Sequence, residues 1–174
     1  FIMHTVSYSE DYLRSDYVSK TYSVYTEGTD EMFEIGTDGI ITAYTGSVTN
    51  LKIPDIINGI KVTGFKESLF SSSKLYSVIF PQLVKTVPSK LFYGNKTIQR
   101  VEGVGITDIS AQAFYGCTNL YEVNFPEVQT IGEKAFWNST GLSGINFSEC
   151  TYIGKSAFEN TLIRYAYLKS VETI

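Results

Sequence analysis

Phenylalanine returns at positions 70, 92, 114, 136 and 158, and every interval is 22 residues. Several apolar columns keep step with it. Five residues before each stand Phe65, Val87, Ile109, Ile131 and Ile153, and immediately before each stand Leu69, Leu91, Ala113, Ala135 and Ala157. Ile98, Leu120 and Leu142 follow six residues later, and Val101, Val123 and Ile145 three further on. The unit at Phe70 is one residue shorter (Leu75, Val78, Phe80), and the unit at Phe158 reads as two shorter (Leu162, Tyr165, Tyr167). A unit this small cannot bury its own apolar face, so it must bury it against the next. The chain is predicted to be a solenoid, with each Phe of the ladder contributing roughly 1.5–3 kcal/mol of burial.

Within a unit, the alternation ending Leu120-Tyr-Glu-Val123-Asn-Phe125 predicts a short strand with Val123 and Phe125 pointing inward, closed by Pro126. Val128 to Gly132 is a second short extended segment, and Glu133 to Asn138 fits a helical turn at most. The fold class is therefore a β-rich repeat solenoid with short helical turns, its strands stacking in register as parallel sheets. The outward residues of the first strand pair as Ser77/Ile79, Arg100/Glu102, Glu122/Asn124, Gly144/Asn146 and Arg164/Ala166. They form a sheet face of the kind that solenoids use for binding.

A solenoid also needs a closed end. Phe33/Ile35 and Ile41/Ala43 alternate around Asp38-Gly39, a hairpin signal, and Tyr22/Val24 alternate before them. Upstream, Ser9 to Lys20 reads as a short helix capped by Ser9, with Glu10 and Asp11 in the first turn and Leu13/Tyr17 as an i,i+4 pair. At the other end Val171 and Ile174 fall in the columns of Val128 and Ile131, midway through a sixth unit. Further repeats are expected to follow in the parent protein; the alternative is an end packed on another molecule. The organisation expected is a leader with a short helix or linker over 1–20, an N-terminal β cap over 21–62, and about five repeats over 63–174, the last incomplete.

The stretch IGEKAFWNSTGLSGINF and its relatives at 87–103, 109–125 and 153–167 resemble the BspA-like leucine-rich repeats of bacterial and some protist surface proteins. FEIGTDGIITAYTGSVTNLKIPDIINGIKVTGF, residues 33–65, is similar to that family's N-terminal cap. The resemblance runs from 33 to 174. It departs from the pattern at Gly103-Val104-Gly105, where Phe80-Pro81 and Phe125-Pro126 stand in other units. There the strand is expected to be looser, with Phe80 and Phe125 closing over the gap. The resemblance implies an extracellular or surface location and adhesion to a protein or glycan on a host or neighbouring cell. A structural spacer presenting another domain is the alternative.

Composition narrows the rest. A net charge of −4 and a pI near 5.0 provide no basic field for a phosphate backbone, so nucleic acid is not an expected partner. No run approaches the ~20 apolar residues of a membrane span. His4 is the sole histidine and is expected at a mobile end, which leaves no base–nucleophile arrangement and no expectation of an enzyme. The pairs Glu10/Asp11 and Asp30/Glu31 fit a helix start and a turn, and the GxG of Glu102-Gly-Val-Gly-Ile106 lacks a phosphate-binding context. No metal or cofactor is expected. Cys117, in the column of Ser73, Asn95 and Ser139, and Cys150, in that of Val84, Ile106 and Val128, read as buried free thiols too far apart to bridge.

Two features are binding candidates. Tyr93, Tyr115 and Trp137, one residue past the Phe column, form an aromatic row that either meets sugar rings or apolar groups, or covers the turns. The second is the sheet face, with Arg100, Glu102, Glu122, Asn124, Asn146 and Arg164; the alternative there is a merely solvated surface. Three sequons begin at Asn95, Asn138 and Asn146, relevant only to a eukaryotic secretory source. The chain is expected to be a monomer or to associate weakly end to end.

Overall fold

The computed structural model describes residues 24–168. The Ser9-capped helix, His4, Tyr22 and the Val171/Ile174 positions lie outside the described residues. The described chain starts with β1 (Thr26–Glu27), a single 3-10 turn at Asp30–Met32, and the hairpin β2 (Phe33–Ile35) and β3 (Ile40–Tyr44). Phe33 pairs with Tyr44, and the turn is made by Gly39 at φ 83° with the Asp38 carboxylate accepting from the Ile40 amide at 3.1 Å. That is the hairpin expected at Asp38-Gly39. Then come β4 (Asn50–Lys52), a small hairpin of β5 (Ile56–Ile57) and β6 (Ile60–Lys61), and β7 (Gly64–Phe65).

Beyond them three-residue and two-residue strands alternate: β8 (Ser77–Ile79), β9 (Thr86–Val87), β10 (Arg100–Glu102), β11 (Asp108–Ile109), β12 (Glu122–Asn124), β13 (Thr130–Ile131), β14 (Gly144–Asn146), β15 (Tyr152–Ile153) and β16 (Tyr165–Tyr167). These three-residue strands, with β4 and the two-residue β1 before them, stack as a parallel sheet in the order β1-β4-β8-β10-β12, and β14 pairs with β16 beside it. The two-residue strands make a second parallel sheet, β9-β11-β13-β15. Register follows the repeat: Val78, Val101 and Val123 are partners, as are Val87, Ile109, Ile131 and Ile153. The first coil already begins inside the hairpin, since Ile41 pairs with Phe65 and Leu51 with Val78.

Between the sheets runs one core. Phe70, Phe92, Phe114, Phe136 and Phe158 stack with ring centroids 5.1–5.4 Å apart, nearly parallel from Phe92 onward. Tyr44 meets Phe70 edge-on at 5.7 Å and closes the column at the cap. Phe158 is half-buried, whereas the four rings before it are fully buried. Gly103 removes one ring from the neighbouring column, and Phe80 and Phe125 meet across it at 5.6 Å. β10 nevertheless keeps full register with β8 and β12, so the expected loosening is corrected: the two flanking rings fill the space the glycine leaves.

The segments read as helical turns are turns without helix. Two left-handed columns interrupt them: Ser68, Lys90, Gln112, Lys134 and Ser156 before each Phe, and Gly94, Gly116, Asn138 and Asn160 after it, all with φ between 53° and 70°. A left-handed residue on both sides of the Phe leaves no room for a helical turn. The turns hydrogen-bond from coil to coil instead, with the amides of Phe70, Phe92, Phe114 and Phe136 donating to the carbonyls of Leu91, Ala113, Ala135 and Ala157 at 2.8–2.9 Å.

A polar column runs beside the rings. Asn95 Nδ2 donates to the Phe70 carbonyl at 2.8 Å, the Cys117 thiol to that of Phe92 at 3.1 Å, and the Ser139 hydroxyl to that of Phe114 at 2.7 Å. Asn95 Oδ1 also accepts from the amides of Thr97 and Ile98 at 2.8 and 2.9 Å. Cys117 and Cys150 are both free and buried, and burial pushes the Cys117 thiol up to about 12.

The last unit corrects the sequence register. β16 pairs Tyr165 with Gly144, Ala166 with Ile145 and Tyr167 with Asn146. This unit is one residue shorter than its neighbour, not two, and Ile163 and Leu168 pack on the core in place of Leu162 and Tyr167. A one-residue slip exchanges the faces of a strand. Ala166 therefore lies in the inward column, Tyr165 and Tyr167 face outward, and Arg164 leaves the sheet face for the rim.

Three outcomes follow from this packing. Phe114→Ala should cost about 3–5 kcal/mol in denaturant unfolding because rings on both sides lose contact, and Phe158→Ala should cost less. Asn95→Ala should cost ~1–3 kcal/mol, since it leaves buried carbonyl and amide groups without partners. The folded Cys117 thiol keeps its proton until about 12 whereas an ordinary thiol loses it near 9.0. This contribution to stability is complete below pH 9.0 and falls as pH rises toward 12, so a Cys117→Ser variant should lose less stability than the native chain across that window, read from denaturation midpoints.

Candidate interaction surface

The outer face of the three-residue strands is set by register. One row carries Asn50, Ser77, Arg100 and Glu122, and the other Lys52, Ile79, Glu102 and Asn124. Gly144 and Asn146 on β14 and Tyr165 and Tyr167 on β16 continue the face. The sequence placed Arg100, Glu102, Glu122, Asn124 and Asn146 here, and the structure brings them together.

Most charges on this face are paired internally. Arg100 forms an ion pair with Glu122 at 2.8 Å, its Nε also donating at 2.8 Å, and Lys52 meets Glu27 at 3.1 Å. Tyr25 donates to Glu102 at 2.8 Å, laying the segment before β1 across the sheet. Burial and then the Glu102 hydrogen bond raise the Tyr25 hydroxyl above its ordinary value. Ser77 faces the same side yet is only 4% exposed, and its hydroxyl donates to Asn50 at 2.6 Å. Tyr25, Tyr165 and Tyr167 were missed by the outward-face reading. Tyr25 has no repeat column to assign it, and the other two fall in the inward columns of the sequence pattern because aromatic side chains mimic the core.

The aromatic row is real but turned on edge. Tyr93 and Tyr115 stack at 4.7 Å and Tyr115 and Trp137 at 4.6 Å, within 15° of parallel. Their faces cover one another along the solenoid axis, and a sugar ring arriving from the side meets ring edges.

The other concavities are shallow. A cleft of about 500 Å³ at the cap is lined by Tyr44, Ser47, Leu69 and Lys74, with the Tyr44 hydroxyl buried and unpartnered among the described residues. On the second sheet, Asp108 accepts from Thr107 at 2.6 Å and from Thr130, so its carboxylate is already engaged. Among the described residues no cluster of His, Cys, Asp and Glu is arranged to hold a metal ion, and no helix is long and apolar enough to cross a membrane. Of the sequon asparagines, Asn95 is buried with its amide spent in the core, Asn138 holds a left-handed turn, and Asn146 is exposed on the sheet face.

Residues 41–164 match the BspA type leucine rich repeat region, in six copies. The match starts at Ile41, where the first coil begins. Among solved structures, the T. pallidum leucine rich repeat protein is similar at 25% identity with a TM-score of 0.72, covering 81% of this chain and 71% of that one. A leucine rich cell surface protein from Faecalibacterium prausnitzii is similar at 22% identity with a TM-score of 0.43, covering 79% of this chain and 52% of that one. A leucine-rich repeat protein from Bacteroides ovatus shares 20% identity at a TM-score of 0.41, covering 73% of this chain and 42% of that one. No curated protein sequence matches. The 22-residue coil, its paired ladders and a six-copy match over most of the chain converge: this chain belongs to the BspA-type leucine-rich repeat family.

Proposed function

We propose that the chain is a non-catalytic interaction module of a secreted or cell-surface protein, binding through the outer face of its three-residue strands. The observation that carries this reading is the register: residues from β4 to β12, and again on β14 and β16 beside them, are held in fixed rows on the outer face. Such a surface acts by area and repetition rather than through a deep pocket, and its affinity grows when several copies engage at once. Family membership supports a protein-interaction or surface role; adhesion to a host matrix protein, a neighbouring cell or a glycan is the finer reading proposed. The division into leader, cap and repeats belongs to the same proposal, with the cap closing the solenoid end.

A structural spacer is the second reading. The internal pairing of Arg100 with Glu122 and of Lys52 with Glu27 favours it, because a face whose charges are already matched offers less to a charged partner. Binding of the chain to fibronectin, fibrinogen, collagen and mucin, measured beside an Asn124→Arg/Asn146→Arg variant, separates the two. Both side chains are exposed, so the variant should stay within about 0.5 kcal/mol in stability. An interaction module should show saturable binding that the variant weakens at least about tenfold. A spacer should bind nothing in either form.

A further inference from the structure

The end of the face formed by β12, β14 and β16 has a chemistry of its own. Its outward residues are Glu122, Asn124, Gly144, Asn146, Tyr165 and Tyr167. Tyr165 and Tyr167 are 68% and 60% exposed on β16, which pairs with β14, and Asn124 and Asn146 are exposed beside them. Gly144 is what allows Tyr165 to lie down on the sheet. A Cβ at that position would come within 2.1 Å of two carbons of the Tyr165 ring, so the ring rests on the glycine backbone. The single charge among these residues, Glu122, is spent on Arg100. What remains is neutral: two aromatic rings turned to solvent and two amides that both donate and accept hydrogen bonds.

We infer that this patch is a binding platform for a neutral oligosaccharide lying along the solenoid axis. The inference rests on the proposed binding role of the same face. Sugar rings present C–H faces that pack on aromatic rings, and hydroxyls that exchange hydrogen bonds with side-chain amides. Neighbouring strands lie ~4.8 Å apart, close to the length of one hexose in an extended β-linked chain, so successive sugars fall over successive strands. Charge favours a neutral ligand: an acidic sugar would meet Glu122, and among the described residues Arg164 is the one cation beside β16. In the stacked row of Tyr93, Tyr115 and Trp137, by contrast, Tyr115 has both ring faces covered and its neighbours one each.

The test is binding of the whole 174-residue chain to neutral β-linked hexose and N-acetylhexosamine oligosaccharides, with sialylated and sulfated glycans alongside. Tyr167→Ala should weaken neutral-glycan binding about tenfold while leaving the unfolding midpoint in place, because its side chain is largely outside the core. Gly144→Val should weaken it by displacing the Tyr165 ring, and Trp137→Ala should leave it unchanged. Binding should persist in high salt. Preference for charged glycans, binding insensitive to Tyr167→Ala, or loss only in Trp137→Ala would each overturn the assignment. No glycan binding alongside retained binding to a matrix protein would overturn it while leaving the interaction role intact. No binding to any ligand would remove both.

Discussion

No unit of this chain can stand alone, and the structure depends on that constraint. A coil of 22 residues has one or two Phe, a handful of aliphatic residues and two strands too short to form a sheet by themselves. The contacts that join the coils therefore point along the axis: ring on ring at just over 5 Å, strand on strand in register, turn amide to the next turn's carbonyl, and a polar side chain reaching back to the carbonyl of the preceding Phe. Stability is accordingly a sum of neighbour terms. The polar column shows how strictly the repeat satisfies its backbone. Asn, Cys and Ser occupy equivalent positions with different chemistry, and each supplies a donor to the equivalent Phe carbonyl one coil back.

The same constraint fixes the surface. Because inward and outward residues alternate on each strand, holding Val78, Val101 and Val123 in the core places Ser77, Arg100 and Glu122 in line outside. The outward residues are free of packing and vary from coil to coil, passing from charged pairs near β10 to amides and open tyrosines at β16. A rigid scaffold with a graded face suits recognition, and tyrosine beside asparagine provides contact area at low entropic cost.

Much of the fold was legible because a period needs no tertiary information. Phe70 to Phe158 at a constant interval gave the solenoid, and Val87, Ile109 and Ile131 gave the second sheet. The Asp38-Gly39 hairpin was legible from turn chemistry. The errors arose where the period broke. In the last unit the aromatic pattern of Tyr165 and Tyr167 competed with Ile163 and Leu168 for the core, and only packing decided in favour of the aliphatic pair, with Ala166 in the inward register. The segments fit a helical turn at most from sequence; the left-handed positions that exclude one alternate between Gly94 and Gly116, which signal it, and Lys90, Gln112 and Lys134, which do not. On the candidate surface, Arg100, Glu102, Glu122, Asn124 and Asn146 came from strand alternation. Tyr25 did not, since its contact with Glu102 spans 77 residues. The edge-on stacking of Tyr93, Tyr115 and Trp137 is likewise a matter of rotamers that spacing does not encode.

Hydroxyl-radical footprinting of the tyrosines tests the central claim, that the outer face of the three-residue strands is where the protein engages its partners. The chain would be labelled alone and with whichever matrix protein or glycan it binds, and oxidation read residue by residue. Protection confined to Tyr165 and Tyr167, with Tyr93, Tyr115 and Tyr152 unchanged, is the result this account expects. Protection of Tyr93 and Tyr115 with the sheet-face tyrosines still fully labelled would contradict it and move recognition to the turn edge.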